Sequence, residues 1–322
     1  MHMTTKNGLI CLSIAAIVVL CALNVATAST SYHSTTFYHS TRHTGDYMPM
    51  AKGNSNVISN RNCVTKGILT SSASSNGIVY IGSQDGNVYA LNANTGTKIW
   101  NYTTGNWVRS SPTVANGIVY VGSWDHNIYA LNANTGTKIW NYTTGDAVHS
   151  SPTVINGIVY VGSGDHNVYA LNANTGTKIW NYTTGGLASF VESSPTVING
   201  IVYVGSDNKN VYALNADTGK LLWNYTTANI VISSPTIVDG IVYVGSFDRN
   251  IYALNATTGT KIWNYTTGDF VFSSCAVVSG VVYVGSFDHN IYALNATTGT
   301  KIWNYTTGNW VLSSPTVING IG

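Results

Sequence analysis

The chain has 322 residues, and its 44% of hydrophobic side chains is enough for a large buried core, yet only 8% of its residues are charged. The formal net charge is +2, and the lysines and arginines form no run. A surface that follows nucleic-acid phosphates is therefore not supported, and nucleic acid is not an expected partner. Asn, Thr, Ser and Tyr must supply most of the polar surface.

The start of the chain has the order of a secretory signal. Lys6 precedes an apolar stretch from Leu9 to Val25, and Ala26-Thr27-Ala28 offers small residues for cleavage. The apolar stretch is near the lower length limit for spanning a membrane, so an uncleaved anchor is the alternative. Cys21 follows a leucine rather than a small residue, which disfavours a lipoprotein site. We expect export, to the medium or the cell surface, with no membrane span after cleavage.

The next segment, residues 29–66, is rich in Ser, Thr, Asn and His and lacks the repeat described below. Gly67 to Ser72 has the shape of the later segment from Gly105 to Pro112, so the repeat phase begins at residue 67. We therefore divide the chain into a signal peptide (1–28), a lead-in segment (29–66) and a repeat domain (67–322). Two cysteines remain outside the signal peptide, Cys63 and Cys275, and we expect both to be unpaired.

The repeat domain consists of near-identical copies marked by tryptophan. The tryptophans are 40 residues apart except for one interval of 43. Their positions are Trp100, Trp140, Trp180, Trp223, Trp263 and Trp303. A period of this length, in strand-forming residues with internal turns, predicts units that bury their apolar faces by stacking on one another.

One copy divides into four short extended runs, which predict four antiparallel strands. In the second copy the runs are Val108 to Val114, Ile118 to Ser123, Asn127 to Asn132 and Thr137 to Thr144. Asn-Gly, Ser-x-Asp-x-Asn and Asn-Thr-Gly supply the turns between them. The second run is apolar at successive positions, so both of its faces must be covered, as in sheets stacked radially around an axis. The fourth run alternates, with Trp140 on one face and Asn141 on the other.

The segment A-L-N-A-N-T-G-T-K-I-W resembles the tryptophan-docking motif, A-x-D-x-x-T-G-x-x-x-W, of the pyrroloquinoline-quinone-type β-propeller repeat. The resemblance extends from about Gly67 to Gly320, and Phe37 through His43-Thr44-Gly45 is similar to the lead-in of secreted repeat proteins of this group. It implies that the six tryptophans dock on the turn of the neighbouring blade. The family's aspartate is replaced by Asn92, Asn132, Asn172, Asn215, Asn255 and Asn295.

The fold class predicted is all-β, a propeller of four-stranded antiparallel blades with six complete blades and a partial seventh. First-type strands occur seven times, near residues 69, 108, 148, 191, 231, 271 and 311, whereas the other three types occur six times. The extra strand is either a spare in a six-bladed ring or the start of a seventh blade that is cut off. We favour the seventh blade.

Differences between the copies concentrate in two loops of each blade, and alternation of strand direction predicts that both open on the same face. These loops carry aromatic, cationic and imidazole groups, which suit stacking on a sugar or anchoring a protein. The alternative is that turns on this face tolerate any residue. The candidate binding residues are Trp107, Arg109, Trp124, His126, His149, His166, Phe190, Lys209, Phe247, Arg249, Phe270, Phe287, His289 and Trp310.

An enzyme of the same repeat family is the competing class. Quinoprotein dehydrogenases are implied to need adjacent cysteines, a catalytic carboxylate and calcium ligands. This chain has no adjacent cysteines, its one glutamate is Glu192, and most of its aspartates repeat one turn position. We therefore predict no catalysis, no cofactor and no metal. His126, His149 and His166 lie on neighbouring blades, but loops so far from the axis are too distant for ligation.

Two repeated tripeptides are formal N-glycosylation acceptors in an exported protein. They begin at Asn101, Asn141, Asn181, Asn224, Asn255, Asn264, Asn295 and Asn304. The sequence thus predicts a secreted or cell-surface, non-enzymatic propeller that binds or adheres to a protein or carbohydrate ligand at one face. An assembly scaffold, similar to the barrel-assembly propeller lipoprotein, is the alternative, and a quinone-dependent dehydrogenase is less favoured.

Overall fold

The computed structural model describes residue 68, residues 70–186 and residues 189–317. The regular secondary structure of these residues is entirely β-strand, in six four-stranded sheets. Blade 1 comprises β1 (Ala73–Ser75), β2 (Ile78–Gly82), β3 (Asn87–Asn92) and β4 (Lys98–Thr103). Blade 2 comprises β5 (Thr113–Ala115), β6 (Ile118–Gly122), β7 (Asn127–Asn132) and β8 (Lys138–Thr143). Blade 3 comprises β9 (Thr153–Ile155), β10 (Ile158–Gly162), β11 (Asn167–Asn172) and β12 (Lys178–Thr183).

The remaining three blades repeat the pattern. Blade 4 comprises β13 (Thr196–Ile198), β14 (Ile201–Gly205), β15 (Asn210–Asn215) and β16 (Leu221–Thr226). Blade 5 comprises β17 (Thr236–Val238), β18 (Ile241–Gly245), β19 (Asn250–Asn255) and β20 (Lys261–Thr266). Blade 6 comprises β21 (Ala276–Val278), β22 (Val281–Gly285), β23 (Asn290–Asn295) and β24 (Lys301–Thr306). Each blade pairs consecutive strands antiparallel, so the all-β, four-stranded blade prediction is confirmed.

The first strand of each blade is shorter than the sequence predicted. In blade 2 the predicted run from Val108 to Val114 forms a strand only at β5, because the residues before it make their hydrogen bonds elsewhere. The Val108 N–H donates to the Ser83 carbonyl of blade 1, and the Ser111 N–H donates to the Ser151 hydroxyl of blade 3. Pro112 has no N–H to offer a strand partner. Residues 311–317 follow the sixth blade and form no strand, so they do not test the partial seventh blade.

The two turns that barely differ between copies, Asn-Gly and Asn-x-x-Thr-Gly, lie at one end of the blades, and the two variable loops lie at the other end. At one end, the Ala133 N–H donates to the Gly117 carbonyl and joins the two constant turns of blade 2. At the other end, the Trp124 N–H donates to the Trp107 carbonyl at 2.9 Å and joins the two variable loops. We call these ends the constant face and the variable face.

Apolar side chains fill the space between consecutive blades. Between blades 2 and 3 they are Tyr120, Ile128, Ala130, Trp140, Val148, Val159, Val161, Tyr169, Leu171 and Ala173. The Trp140 indole donates to the Ala173 carbonyl at 2.8 Å and packs on Gly176, whose φ is 71°. The same contact recurs at Trp100, Trp180, Trp223 and Trp263. Trp303 of blade 6 differs, being 45% exposed.

The constant turn that receives the indole is held by the asparagine that replaces the family's aspartate. The Asn132 Oδ1 accepts hydrogen bonds from the N–H groups of Asn134 and Thr135, both at 3.0 Å. An amide oxygen performs this capping as well as a carboxylate would, without adding a negative charge. The substitution therefore leaves the turn intact.

Three predictions fall outside the described residues: the signal peptide (1–28), the lead-in segment (29–66) and the state of Cys63. Cys275 lies in blade 6, where it is buried and forms no disulfide among the residues described. Within the described part of the chain, no helix of a length and hydropathy suited to crossing a membrane is found.

Candidate functional site

A central cavity of about 450 Å³ runs between the innermost segments of the blades. Its wall carries one serine from each repeat, at Ser71, Ser111, Ser151, Ser194, Ser234, Ser274 and Ser314. The N–H group of each of the first six donates to the hydroxyl of the next at 2.9–3.0 Å. Because six of these seven hydroxyls are engaged by a neighbouring repeat, this row of serines acts as scaffold.

The repeat position that faces the cavity mouth divides it into two halves. Arg109, His149 and Glu192 occupy this position on three consecutive blades, and all are buried. In the next three copies the position is taken by Ile232, Phe272 and Leu312, which line the cavity together with Glu192, whereas Arg109 and His149 are not among the lining residues. This repeat position is therefore ionisable in three consecutive copies, which we call the ionisable half of the mouth, and apolar in the next three, the apolar half.

The ionisable half contains a cation stacked between aromatic rings. The Arg109 guanidinium lies 4.8 Å from the ring centre of Trp107 and 4.3 Å from that of Trp124. The rings of Trp124 and His149 are 4.6 Å apart. Burial lowers the pKa of Arg109, and the Glu192 carboxylate opposes that change. Trp107, Arg109, Trp124 and His149, all predicted from the sequence, thus form one cluster.

Asp207 adds a second carboxylate to this half. Its pKa is raised from 3.8 to about 8, mainly by burial and in addition by the negative charge of Glu192. Its Oδ1 atom is buried, and within the described residues no group hydrogen-bonds it. At neutral pH Asp207 is therefore largely protonated and able to donate a hydrogen bond.

The apolar half is a continuous aromatic cluster. Phe247 stacks on Phe270 with ring centres 5.0 Å apart, and Phe287 stacks on Trp310 at 5.4 Å. Phe272 contacts Phe247 at 5.9 Å and joins the two pairs. Ile230 and Ile232 pack against the same group.

The rim residues that follow the repeated aspartate, which is Asn208 in blade 4, occupy a different environment. They have φ values of 72° to 74°, a left-handed conformation in which Gly86 stands in blade 1, and they are His126, His166, Lys209, Arg249 and His289. Their carbonyls accept hydrogen bonds from a threonine of the adjoining loop, such as Thr144. His166 stacks on Phe190 at 5.5 Å, and the His126 Nε2 is 3.8 Å from an Asp146 oxygen. Lys209 and Arg249 are exposed.

Sequence reasoning left four contributors to the mouth out of the candidate set: Glu192, Asp207, Ile232 and Phe272. A signal was present, since each occupies the same repeat position as Arg109 or Trp124. The structure places the buried Glu192 on the cavity wall, and the Asp207 carboxylate lies near enough to be affected by its charge.

The glycosylation acceptors lie away from the mouth. Those in the fourth strands are exposed, and the Asn141 Nδ2 donates to the Asn127 Oδ1 at 3.0 Å. Asn255 and Asn295 hold constant turns through their Oδ1 atoms. Within the described ranges, no three His, Cys, Asp or Glu side chains gather closely enough to hold a metal ion.

A family model described as outer membrane protein assembly factor BamB matches residues 50–188, 187–306 and 266–321. Three solved structures have a similar fold. BamB from Moraxella catarrhalis is 23% identical with a TM-score of 0.67, over 76% of this chain and 77% of that one. The computationally designed Ika8 protein is 20% identical with a TM-score of 0.69, over 78% of each chain.

A europium-containing methanol dehydrogenase is 14% identical with a TM-score of 0.66, over 76% of this chain and 69% of that one. At these identities the three likenesses establish the propeller fold alone. No curated protein matches the sequence. The family model, in contrast, covers most of the chain, including all six blades. The chain belongs to the family of pyrroloquinoline-quinone-type repeat propellers described as outer membrane protein assembly factor BamB.

Proposed function

We propose that this protein is a non-enzymatic, exported scaffold of the cell envelope that binds a segment of a protein partner at the mouth of its central cavity. The observation that carries the proposal is the division of the mouth into an aromatic half, around Phe247, Phe272 and Phe287, and an ionisable half, around Arg109, Glu192 and Asp207. The family description, an assembly factor, supports a protein as the partner.

The aromatic half supplies the apolar contacts that provide most of the binding energy. Aromatic side chains in well-packed, water-excluding pockets are the residues at which interface energy concentrates. Trp310 remains 45% exposed beside the stacked Phe287, so part of this cluster is open to a partner. An apolar side chain inserted there would remove water from both surfaces.

The ionisable half supplies orientation. Arg109 and Glu192 place opposite charges in this half, and protonated Asp207, whose buried Oδ1 no described group hydrogen-bonds, provides a donor for a polar group of an inserted segment. Buried polar groups reject ligands that leave them unpaired, which makes this half the source of specificity. A peptide segment, with alternating apolar and polar groups, meets both requirements at once.

The test is selection of peptides from a random display library against the purified protein, followed by calorimetry on the selected peptides. We expect Phe287→Ala and Trp310→Ala to weaken binding about 30-fold or more, the effect of losing an interface hot spot. The matched control is Ile155→Ala with Ile198→Ala on the constant face, where each isoleucine is 38% exposed. Peptides whose affinity is the same for both pairs of variants would contradict binding at the mouth.

A carbohydrate ligand is the second candidate, because Trp107 is 36% exposed and Trp310 is 45% exposed, and flat indole faces stack on sugar rings. A glycan array probed with the same variants separates the two. Glycan binding lost in Trp107→Ala and Trp310→Ala, with no peptide selected, would favour the carbohydrate.

A further inference from the structure

The constant face, opposite the mouth, carries a ring of lysines. They are Lys98, Lys138, Lys178, Lys220, Lys261 and Lys301, one from each blade, and all are exposed. Five of them are the first residue of a fourth strand, so they stand at equal height at this end of the blades. Only two carboxylates lie at this end among the described residues, Asp217 and Asp239. We call this end the lysine face.

The variable face has the opposite charge. Its loops hold the carboxylates Asp85, Asp125, Asp146, Asp165, Glu192, Asp207, Asp248, Asp269 and Asp288. Against these, the described part of the chain places Arg109, Lys209 and Arg249 there. Although the net charge of the whole chain is near zero, the propeller thus carries excess positive charge at one end and excess negative charge at the other.

The lysine charges are held in place by neutral groups. The Lys98 ammonium donates to the Asn101 amide oxygen at 3.1 Å, and Lys138, Lys178, Lys261 and Lys301 repeat the contact at 3.0–3.1 Å. An amide oxygen orients the ammonium without neutralising it. The positive charge of this face therefore remains available to an external anion.

An exposed aliphatic side chain follows each lysine. They are Ile99, Ile139, Ile179, Leu221, Leu222, Ile262 and Ile302, and all are 42–52% exposed. Since a strand rises about 3.3 Å per residue, each lies within one or two residue steps of its lysine along the blade axis. A soluble polyanion gains nothing from contact with exposed aliphatic side chains. The headgroup and upper acyl region of a bilayer, in contrast, accommodates both cationic and aliphatic side chains.

We propose that the lysine face docks on a lipid surface that carries anionic headgroups. Five lysines at one repeat position, with Lys220 one position earlier in blade 4, match an extended, multivalent anion, and neighbouring aliphatic side chains enter the interface between headgroups and acyl chains. Docking in this orientation turns the mouth away from the membrane. The inference rests on the face opposite the mouth and does not depend on the proposed function.

The test is co-sedimentation with phosphatidylcholine vesicles prepared with and without phosphatidylglycerol. We expect binding that requires phosphatidylglycerol and falls as salt is raised, because surface charges are screened beyond about 10 Å at 0.1 M salt. Lys98→Gln with Lys138→Gln and Lys178→Gln should weaken binding about a hundredfold. The same three lysines changed to arginine keep the charge and should bind as the native protein does.

The apolar N-terminal segment is identical in every variant, so the difference between the glutamine and arginine sets isolates the lysines. Ile99→Ser with Ile139→Ser and Ile179→Ser should also weaken vesicle binding while leaving binding to dextran sulfate unchanged. Equal binding to vesicles with and without phosphatidylglycerol would overturn the proposal. If a soluble polyanion binds as tightly as the vesicles do, and the serine set has no effect on vesicle binding, then the ligand of this face is that polymer and not a lipid surface.

Discussion

The indole nitrogen of Trp140 donates to the main-chain oxygen of Ala173 at 2.8 Å, across the boundary between the second and third blades. This contact joins the last strand of one blade to a constant turn of the next. Its recurrence at four other boundaries makes the assembly a chain of nearest-neighbour couplings. Trp303 has the same sequence context without the same burial, which gives an internal control.

Trp140→Ala should therefore destabilise the protein far more than Trp303→Ala. The buried ring is 8% exposed, and removing such a ring costs about 3–5 kcal/mol through lost transfer energy and the cavity left behind. At the exposed position we expect a change of about 0.5 kcal/mol. Urea unfolding followed by far-UV circular dichroism measures both. Equal losses at the two positions would show that the indole contact is not what couples the blades.

Gly176→Ala tests the other side of the same contact. A Cβ atom at Gly176 would lie 2.7 Å from the Trp140 ring, whereas one at Gly157 would have nothing within 4 Å. Both glycines have positive φ values, 71° and 75°, so both alanine variants bear a similar conformational strain of about 1 kcal/mol. The additional destabilisation of Gly176→Ala, measured by the same unfolding curves, reports the displaced indole. No difference between the variants would contradict this explanation.

The sequence was sufficient to predict the blades because the same local pattern occurs in every copy. Tyr120, for example, lies in a run that is apolar on both faces, and such a run requires a neighbour on each side. The first strand could not be bounded in this way. Its residues, such as Val108 and Ser111, bond to loops of other blades, and no local pattern reveals those partners.

The sequence was sufficient to predict which end of the blades carries the candidate site, but not which of its residues meet at the mouth of the cavity. Variation between copies located Arg109, Trp124 and Phe287 on one end of the blades. Which of them meet depends on distance from the axis, and that requires the blade geometry. Stacking of Arg109 on Trp107 and Trp124, and the raised pKa of Asp207, arise from neighbours on different blades.

Cys275→Pro should stabilise the protein. Proline occupies this position in other blades, and the backbone is equivalent: the Thr236 hydroxyl donates to the Cys275 carbonyl at 2.6 Å, as the Thr113 hydroxyl does to the Pro152 carbonyl. Proline restricts the unfolded chain, which is worth about 0.4–1 kcal/mol where the native backbone already suits it. Urea midpoints of Cys275→Pro and Cys275→Ala separate this effect from loss of the thiol. A lower midpoint for proline than for alanine would show that the backbone differs.

Asp207→Asn should change the pH dependence of stability. The pKa of Asp207 is raised from 3.8 to about 8, first by burial and then by Glu192, so the folded protein holds a proton that the unfolded chain releases. Wherever the folded state binds more protons, stability falls as pH rises. The native protein should lose stability between about pH 4 and pH 8 through this group, and the asparagine variant, which does not titrate, should not.

The measurement is the melting temperature of both proteins across that range by scanning calorimetry. We expect the advantage of Asp207→Asn to be absent near pH 4, to widen as pH rises and to level off above about pH 8. Asp217→Asn on the lysine face is the control, because it makes the same chemical change at an exposed aspartate at the opposite end of the blades. If the curves of the native protein and Asp207→Asn run parallel, the buried carboxylate does not retain its proton, and the mouth holds two full negative charges beside Arg109.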